Sequence, residues 1–365
     1  MKIRFVVSPN FIELDYPWVF SLCYFEFFQE LKKVSESESV VISPREVEFP
    51  SNNVLVSGVY GKYTRLDHAQ ELDADVIIIP GSCVGNEIRA FLPELIRSNP
   101  RAIFWFLWID CNYRIESKVL ESGSALWGHS HRFVHLTHWT VRSLPNQIVI
   151  DFPYNHSLEL PLSSEKEFDF GFVGFFLYAK KNTKFLEYAT RFTSRPLSIV
   201  GMKETQDRLF GEQKDVLRGK TRCWGEIFSW EESYPILAKS WIYLNSQKRR
   251  HRSYGSIVKR PTSTAELGSI FLVDPEDRSS HDIFPPQFVI SDELVRHLLA
   301  ATPEQKLGFV SYQREWLKTR FSATPRVNWL IDWSMQALDR QANPPDHYSF
   351  RQSRYPRHER NLPLP

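Results

Sequence analysis

The sequence predicts an α/β protein made of two similar halves, each a parallel sheet covered by helices, facing one another across a cleft. Three observations carry that expectation. Short apolar runs bounded by turn residues alternate with longer stretches of helical spacing. A turn-rich segment, DFPYNHSLELPLSSEKE at residues 151–167, interrupts the alternation, which then starts again. At 365 residues and 42% hydrophobic, with 27 Phe and 11 Trp, the chain has apolar mass for two cores of ordinary domain size.

In the first half KIRFVVS, SVVIS, DADVIIIPG, RAIFWFLWID and RFVHLTH read as strands, being short, apolar and closed by turn residues. Between them WVFSLCYFEFFQELKKV and NEIRAFLPELIRSN carry helical spacing. The second half repeats the order: strand FDFGFVG, helix KKNTKFLEYATRF, strand PLSIVG, helix SWEESYPILAKS, strand WIYLNS, helix TSTAELG, strand SIFLVD. Strand, helix, strand is the order of a doubly wound parallel sheet. The half closes near DELVRHLLAATPEQKLGFVSYQREWLKTRF, and RVNWLIDWSMQALDR follows as a last amphipathic helix. The expected domains are residues 1–155 and 156–325, both Rossmann-like, with a final helix at 326–340. The remainder, QANPPDHYSFRQSRYPRHERNLPLP, is polar, Pro-rich and aperiodic, so 341–365 are expected to form a basic, flexible tail.

Missing patterns narrow the function. No apolar run reaches bilayer length, and the opening MKIRFVVSPNFIEL lacks a small-residue cleavage site, so it is expected to be a first strand of a cytoplasmic protein, in the host cytoplasm if a phage encodes it. Cys23, Cys83, Cys111 and Cys223 are scattered with no CxxC pair, against a zinc site or a disulfide framework. His129, His131, His135 and His138 lie close in sequence. No carboxylate or Cys completes a ligand set, and a strand through them points His135 and His138 to opposite faces, so no His-bound metal is expected. GxSxG, GxxxxGK[ST] and GxGxxG are missing, which removes the main support for hydrolase, P-loop and dinucleotide readings. A net charge of +2 says nothing alone; only clustering of the basic residues can.

Four constellations carry chemistry. In FGFVGFFLYAKKNTKFLEYA a strand ends at Gly174, and Lys180 with Lys181 stands where the next helix begins, a place where a close backbone and two ammonium groups suit a diphosphate. In KRPTSTAELGSIFLVDPED, Lys259 and Arg260 precede Pro261 at a helix start lined by Thr262, Ser263 and Thr264. Glu266 lies one turn beyond Ser263, where a carboxylate would suit ribose hydroxyls. RAIFWFLWIDCNYR ends an apolar strand on Asp110, which puts a proton acceptor at the carboxyl edge of the first sheet. SQKRRHRSYG follows a strand and gathers Lys248, Arg249, Arg250 and Arg252, able to hold phosphates of a donor or of a nucleic acid. Each has an ordinary alternative: a solvated basic helix start, a capped helix before a core strand, an Asp opening a turn, a charged surface loop.

The order of these constellations resembles the donor half of a two-domain (GT-B) glycosyltransferase, most of all that of the phage DNA β-glucosyltransferases, in outline from Met1 to Leu299. The resemblance puts Arg260 at the Arg of the family's Arg-x-x-Glu helix start, Lys181 at a diphosphate-binding position of its Gly-rich loop, and Asp110 at its catalytic Asp. Leu177 stands at a second basic position, and Ser263 stands where the family has a ribose-binding Glu. The resemblance implies an inverting transfer. A nucleotide-diphosphate sugar, UDP-glucose above others, is bound by Gly174, Lys180, Lys181, Gly201, Arg260, Ser263 and Glu266. Asp110 takes the proton of an acceptor hydroxyl on a hydroxymethylated pyrimidine in duplex DNA, whose backbone Lys248, Arg249, Arg250 and Arg252 follow. No tightly bound cofactor is implied, though the diphosphate can carry a divalent cation. The expected partners are the nucleotide sugar and DNA, with no membrane and the chain a monomer. The alternatives are transfer to a cell-surface glycan, protein or small molecule, and a catalytically inactive nucleotide- or DNA-binding protein.

Overall fold

Each apolar run named above is a strand, and every strand pairs in parallel. The computed structural model describes residues 1–9, 16–47, 54–61, 63–81, 86–109, 132–141, 144, 146–173, 189, 191–193, 195–200, 221–224, 230–245, 251, 253–274, 283–339 and 347–350. They fall into two units, Met1–Pro153 with Phe321–Arg351, and Tyr154–Arg320.

Unit 1 holds β1 (Lys2–Val7), β2 (Glu36–Ile42), β3 (Tyr63–Leu66), β4 (Val76–Pro80), β5 (Ile103–Leu107), β6 (Phe133–Thr137), β7 (Gln147–Val149) and β13 (His347–Ser349). Their order is β13-β7-β6-β5-β4-β1-β2-β3. β4 (VIIIP) and β5 (IFWFL) are buried at every residue, as central strands of a sheet covered on both faces must be. Helices α1 (Tyr16–Val34), α2 (Val54–Tyr60) and α3 (Asn86–Ser98) connect the first strands. On one face Phe5 stacks with Phe20 and Tyr60 and meets Phe28, joining α1 and α2 to β1.

Unit 2 holds β8 (Phe168–Val173), β9 (Leu197–Val200), β10 (Thr221–Cys223), β11 (Ser240–Asn245) and β12 (Ile270–Val273), in the order β10-β9-β8-β11-β12. Its helices are α4 (Trp230–Leu237), α5 (Arg260–Glu266), α6 (Asp292–Ala300) and α7 (Pro303–Arg320). The expected closing stretch is thus two helices, broken at Ala301–Thr302 before Pro303, whose ring cannot continue a helix. Ser291 caps α6, accepting from Leu294 N at 3.1 Å.

The final helix, which the sequence left unassigned to either half, and part of the tail are placed by the structure. Helix α8 (Thr324–Leu338) belongs to unit 1: Trp105 Nε1 donates to Ser334 Oγ at 3.1 Å, Arg326 Nε to Ile150 O at 2.5 Å, and Thr324 Oγ1 to Glu30 Oε2 at 2.9 Å. Within the expected flexible tail, His347–Ser349 form β13, pairing with β7 from His347↔Gln147. Beside it Trp329 stacks on Tyr348, centroids 4.7 Å apart at 12°. Phe350 N follows with a bond to Val149 O at 2.9 Å, and the other tail residues lie outside the described residues. α2, β3, β7, β10 and β13 are the elements the sequence reading passed over. The strands among them, β7, β10 and β13 at three residues and β3 as the four-residue edge YTRL, are too brief for a period-two pattern to declare itself. No described helix is long and apolar enough to cross a membrane.

Candidate functional site

Doubly wound sheets bind ligands at the carboxyl ends of strands where the strand order reverses, because the loops on either side diverge and leave a crevice. In unit 2 the order reverses between β8 and β11. Between these neighbours Gly171 on β8 leaves room for the Tyr243 ring of β11, which a β-carbon there would overlap. Tyr243 OH donates to Leu237 O at 2.6 Å, which fixes the ring. Gly174 follows β8 directly in sequence, and the SQKRRHR segment follows β11. The chain therefore leaves the sheet at Val173 and Asn245, on either side of its reversal point, where the two expected basic segments begin in sequence.

α5 brings a third basic group to that edge. The Arg260 guanidinium lies 6.0 Å from the centroid of Phe172, the penultimate residue of β8. Burial lowers the Arg260 pKa from its ordinary value, though a guanidinium stays charged. A cation that has already lost hydration loses less on binding an anion. Ser263 Oγ, one turn along, is shielded from solvent and makes no hydrogen bond with a described residue.

Glu266 departs from the expectation that it faces a ribose. It is 0% exposed. Its Oε1 accepts from Lys259 Nζ at 2.6 Å and from Asn155 N at 2.9 Å, and its Oε2 accepts from Tyr234 OH at 3.0 Å. Both oxygens are engaged inside unit 2. The backbone around it is equally fixed: Leu160 N donates to Glu266 O at 2.8 Å, and Arg314 donates to Ala265 O, Glu266 O and Leu160 O at 2.8, 3.1 and 2.8 Å. Tyr234, Asn155 and Arg314 were not singled out by sequence, and Lys259 was, as half of a basic pair with Arg260, though its ammonium is taken up by Glu266.

Unit 1 offers the expected proton acceptor's strand. β5 ends at Leu107, and the fully buried Trp108 that follows is held on three sides. Its carbonyl accepts from Tyr24 OH at 2.6 Å, its Nε1 donates to His135 Nδ1 at 3.3 Å, and Gly81 leaves room for its ring, which a β-carbon would overlap. Burial holds the His135 pKa down to about 3, so the imidazole is neutral and its Nδ1 accepts. The chain thus leaves β5 rigidly two residues before Asp110. A cavity of about 570 Å³ in unit 1, lined by Ile3, Phe28, Ser37, Tyr60 and Thr64 among others, lies at the amino ends of β1–β3, the edge opposite that exit.

Asp110, Gly174, Lys180, Lys181, Gly201, Lys248, Arg249, Arg250 and Arg252 all lie outside the described residues; of the expected site only Arg260, Ser263 and Glu266 lie within them. Among the described residues no group of three or more His, Cys, Asp or Glu is placed to hold a metal ion.

No protein-family model and no curated protein matches the chain. Solved structures do. An α-glucosyltransferase in complex with UDP is 12% identical, with 92% of this chain and 100% of that chain covered at a TM-score of 0.62. The DNA modifying enzyme β-glucosyltransferase, solved with and without uridine diphosphoglucose, is 13% identical over 93% of this chain and 100% of that chain, at 0.55. AviGT4, a glycosyltransferase involved in avilamycin A biosynthesis, is 11% identical over 93% and 98%, at 0.52. Two parallel α/β units in one chain, with a final helix returned to the first, are therefore the GT-B fold shared with these glycosyltransferases.

Proposed function

We propose that the protein is an inverting glycosyltransferase that moves a sugar from a nucleotide-diphosphate sugar to a hydroxymethylated pyrimidine in DNA. The observation that carries the donor half of this reading is Arg260, a partly desolvated guanidinium beside Phe172 at the reversal point of the second sheet. With Lys181 it neutralises the charge that grows on the departing diphosphate, an interaction stronger in the transition state than in the ground state. Asp110 removes the proton of the acceptor hydroxyl as that oxygen attacks the anomeric carbon from the face opposite the diphosphate. UDP-glucose is the first donor to test, since UDP or uridine diphosphoglucose is bound in two of the similar structures. A divalent cation bound with the diphosphate would share in neutralising it.

The DNA acceptor is supported by one similar structure being a DNA modifying enzyme and by the basic runs SQKRRHR and RQSRYPRHER. A base in a duplex must leave the stack to react, so the acceptor site must also hold a flipped nucleotide. The likeness to AviGT4 favours a second reading, transfer to a small molecule or glycan on the same donor machinery. Incubating the protein with labelled nucleotide sugars and duplexes carrying cytosine, 5-hydroxymethylcytosine or 5-hydroxymethyluracil separates them. Label confined to a hydroxymethylated base supports the DNA acceptor. Donor hydrolysis with no label in any duplex favours the second reading, and neither activity with any donor counts against a transferase.

A further inference from the structure

The helix that carries Arg260 is short and starts without a side-chain cap from its N-cap residue, Lys259. At seven residues α5 is below the length at which a helix is stable by itself. Its C-terminus is secured differently, by Gly268 at φ +74° with Gly268 N bonded to Ala265 O and Ser269 N to Thr264 O. Beyond local bonds from Ser263 N and Thr262 Oγ1 to Lys259 O, the start is tied into the unit by an ion pair spanning the whole helix, Lys259 to Glu266, with side chains 8% and 0% exposed. Glu266 in turn is bonded to Asn155, beside the point where the chain enters unit 2, and to Tyr234 of α4.

We propose that Glu266 is a positioning residue of the donor site: it fixes Lys259, and so the backbone from which Arg260 projects, without touching the donor. This rests on the reading of Arg260 as a diphosphate ligand. A buried carboxylate is retained only where it is fully partnered, and replacing it by a neutral group leaves a buried ammonium without its countercharge. In a Glu266→Gln protein Lys259 turns toward water and draws the start of α5 with it. Glutamine's Oε1 still accepts from Asn155 N, and its Nε2 donates to the Tyr234 hydroxyl oxygen where Oε2 had accepted from it, so the rest of the network persists.

The test is a double-mutant cycle on the full chain, read by UDP binding in calorimetry with thermal melts alongside. Arg260→Ala alone is expected to weaken UDP binding, and Glu266→Gln alone to weaken it about tenfold, within the range of coupling between neighbouring groups. In the Arg260→Ala background Glu266→Gln is expected to add no further loss, while its effect on the melting temperature is the same in both backgrounds. Loss by the same factor in both backgrounds, or no loss in either, would overturn the positioning role and leave the donor reading intact. UDP binding unchanged by Arg260→Ala would overturn the donor reading of Arg260 instead. Lys259→Met removes the other half of the pair and serves where Glu266→Gln folds poorly; the same dependence on Arg260 is expected of it, and its absence overturns the proposal.

Discussion

On the proposed reading Arg260 and Asp110 have separable tasks, and single substitutions divide them. Hydrogen bonds to charged groups are worth about 1.5–3 kcal/mol, so Arg260→Ala is expected to weaken UDP at least tenfold, read by titration calorimetry. Asp110→Asn keeps the size of the side chain and removes the base. It should leave UDP affinity unchanged and cut transfer by about 10²–10⁴-fold, measured as initial rate at saturating donor; wild-type turnover would remove Asp110 from the mechanism. His135 makes a prediction about stability. Its folded pKa, near 3, is below the ordinary 6.5, so the unfolded chain binds the extra proton first. Its contribution is full above pH 6.5 and is lost progressively as the pH falls toward 3. Between pH 6.5 and 5 the loss is about 2 kcal/mol. The melting temperature of a His135→Gln protein should change less over that interval than that of the wild type, and equal slopes would refute this.

At the scale of elements, the contact between β8 and β11 decides the geometry of the reversal point. Gly171→Ala forces the Tyr243 ring aside from its bond to Leu237 O, and overpacking of this kind costs about 1–3 kcal/mol. Urea unfolding should show that loss, and weaker UDP binding should accompany it because Phe172, the next residue on β8, is the ring the Arg260 guanidinium faces. Unchanged unfolding would mean the sheet relaxes around the extra carbon. Most central elements were legible in the sequence because their apolar runs are continuous: VIIIP and IFWFL admit no other buried strand reading. The edge strands were not, since YTRL and HYS carry no pattern and exist because a neighbouring strand offers unpaired backbone groups. Helix α8 was legible as a helix but not as part of unit 1, because Trp105 and Ser334 are 229 residues apart.

The whole molecule meets its acceptor through charge if the DNA reading is right. Net charge is only +2, so attraction to a phosphate backbone must come from local runs such as Lys248, Arg249, Arg250 and Arg252. Four phosphate contacts imply a slope of log K against log salt of about −3 to −4. Replacing the four by alanine should flatten the slope measured by fluorescence anisotropy on a duplex. Binding that does not weaken as salt rises would count against DNA as the acceptor.

By itself the sequence determined the two-sheet α/β plan and the identity of the central strands, because hydrophobic periodicity and turn chemistry are local properties. It also marked Arg260, whose neighbours in the chain declare a helix start. Tertiary structure alone decided the strand order that makes the β8–β11 edge a reversal point, the return of α8 to the first unit, and the burial of Glu266 among its partners. From spacing, Glu266 reads as a ribose ligand; the fold instead buries it among Lys259, Tyr234 and Asn155. A carboxylate's partners come from segments far apart in the chain, and only folding brings them together.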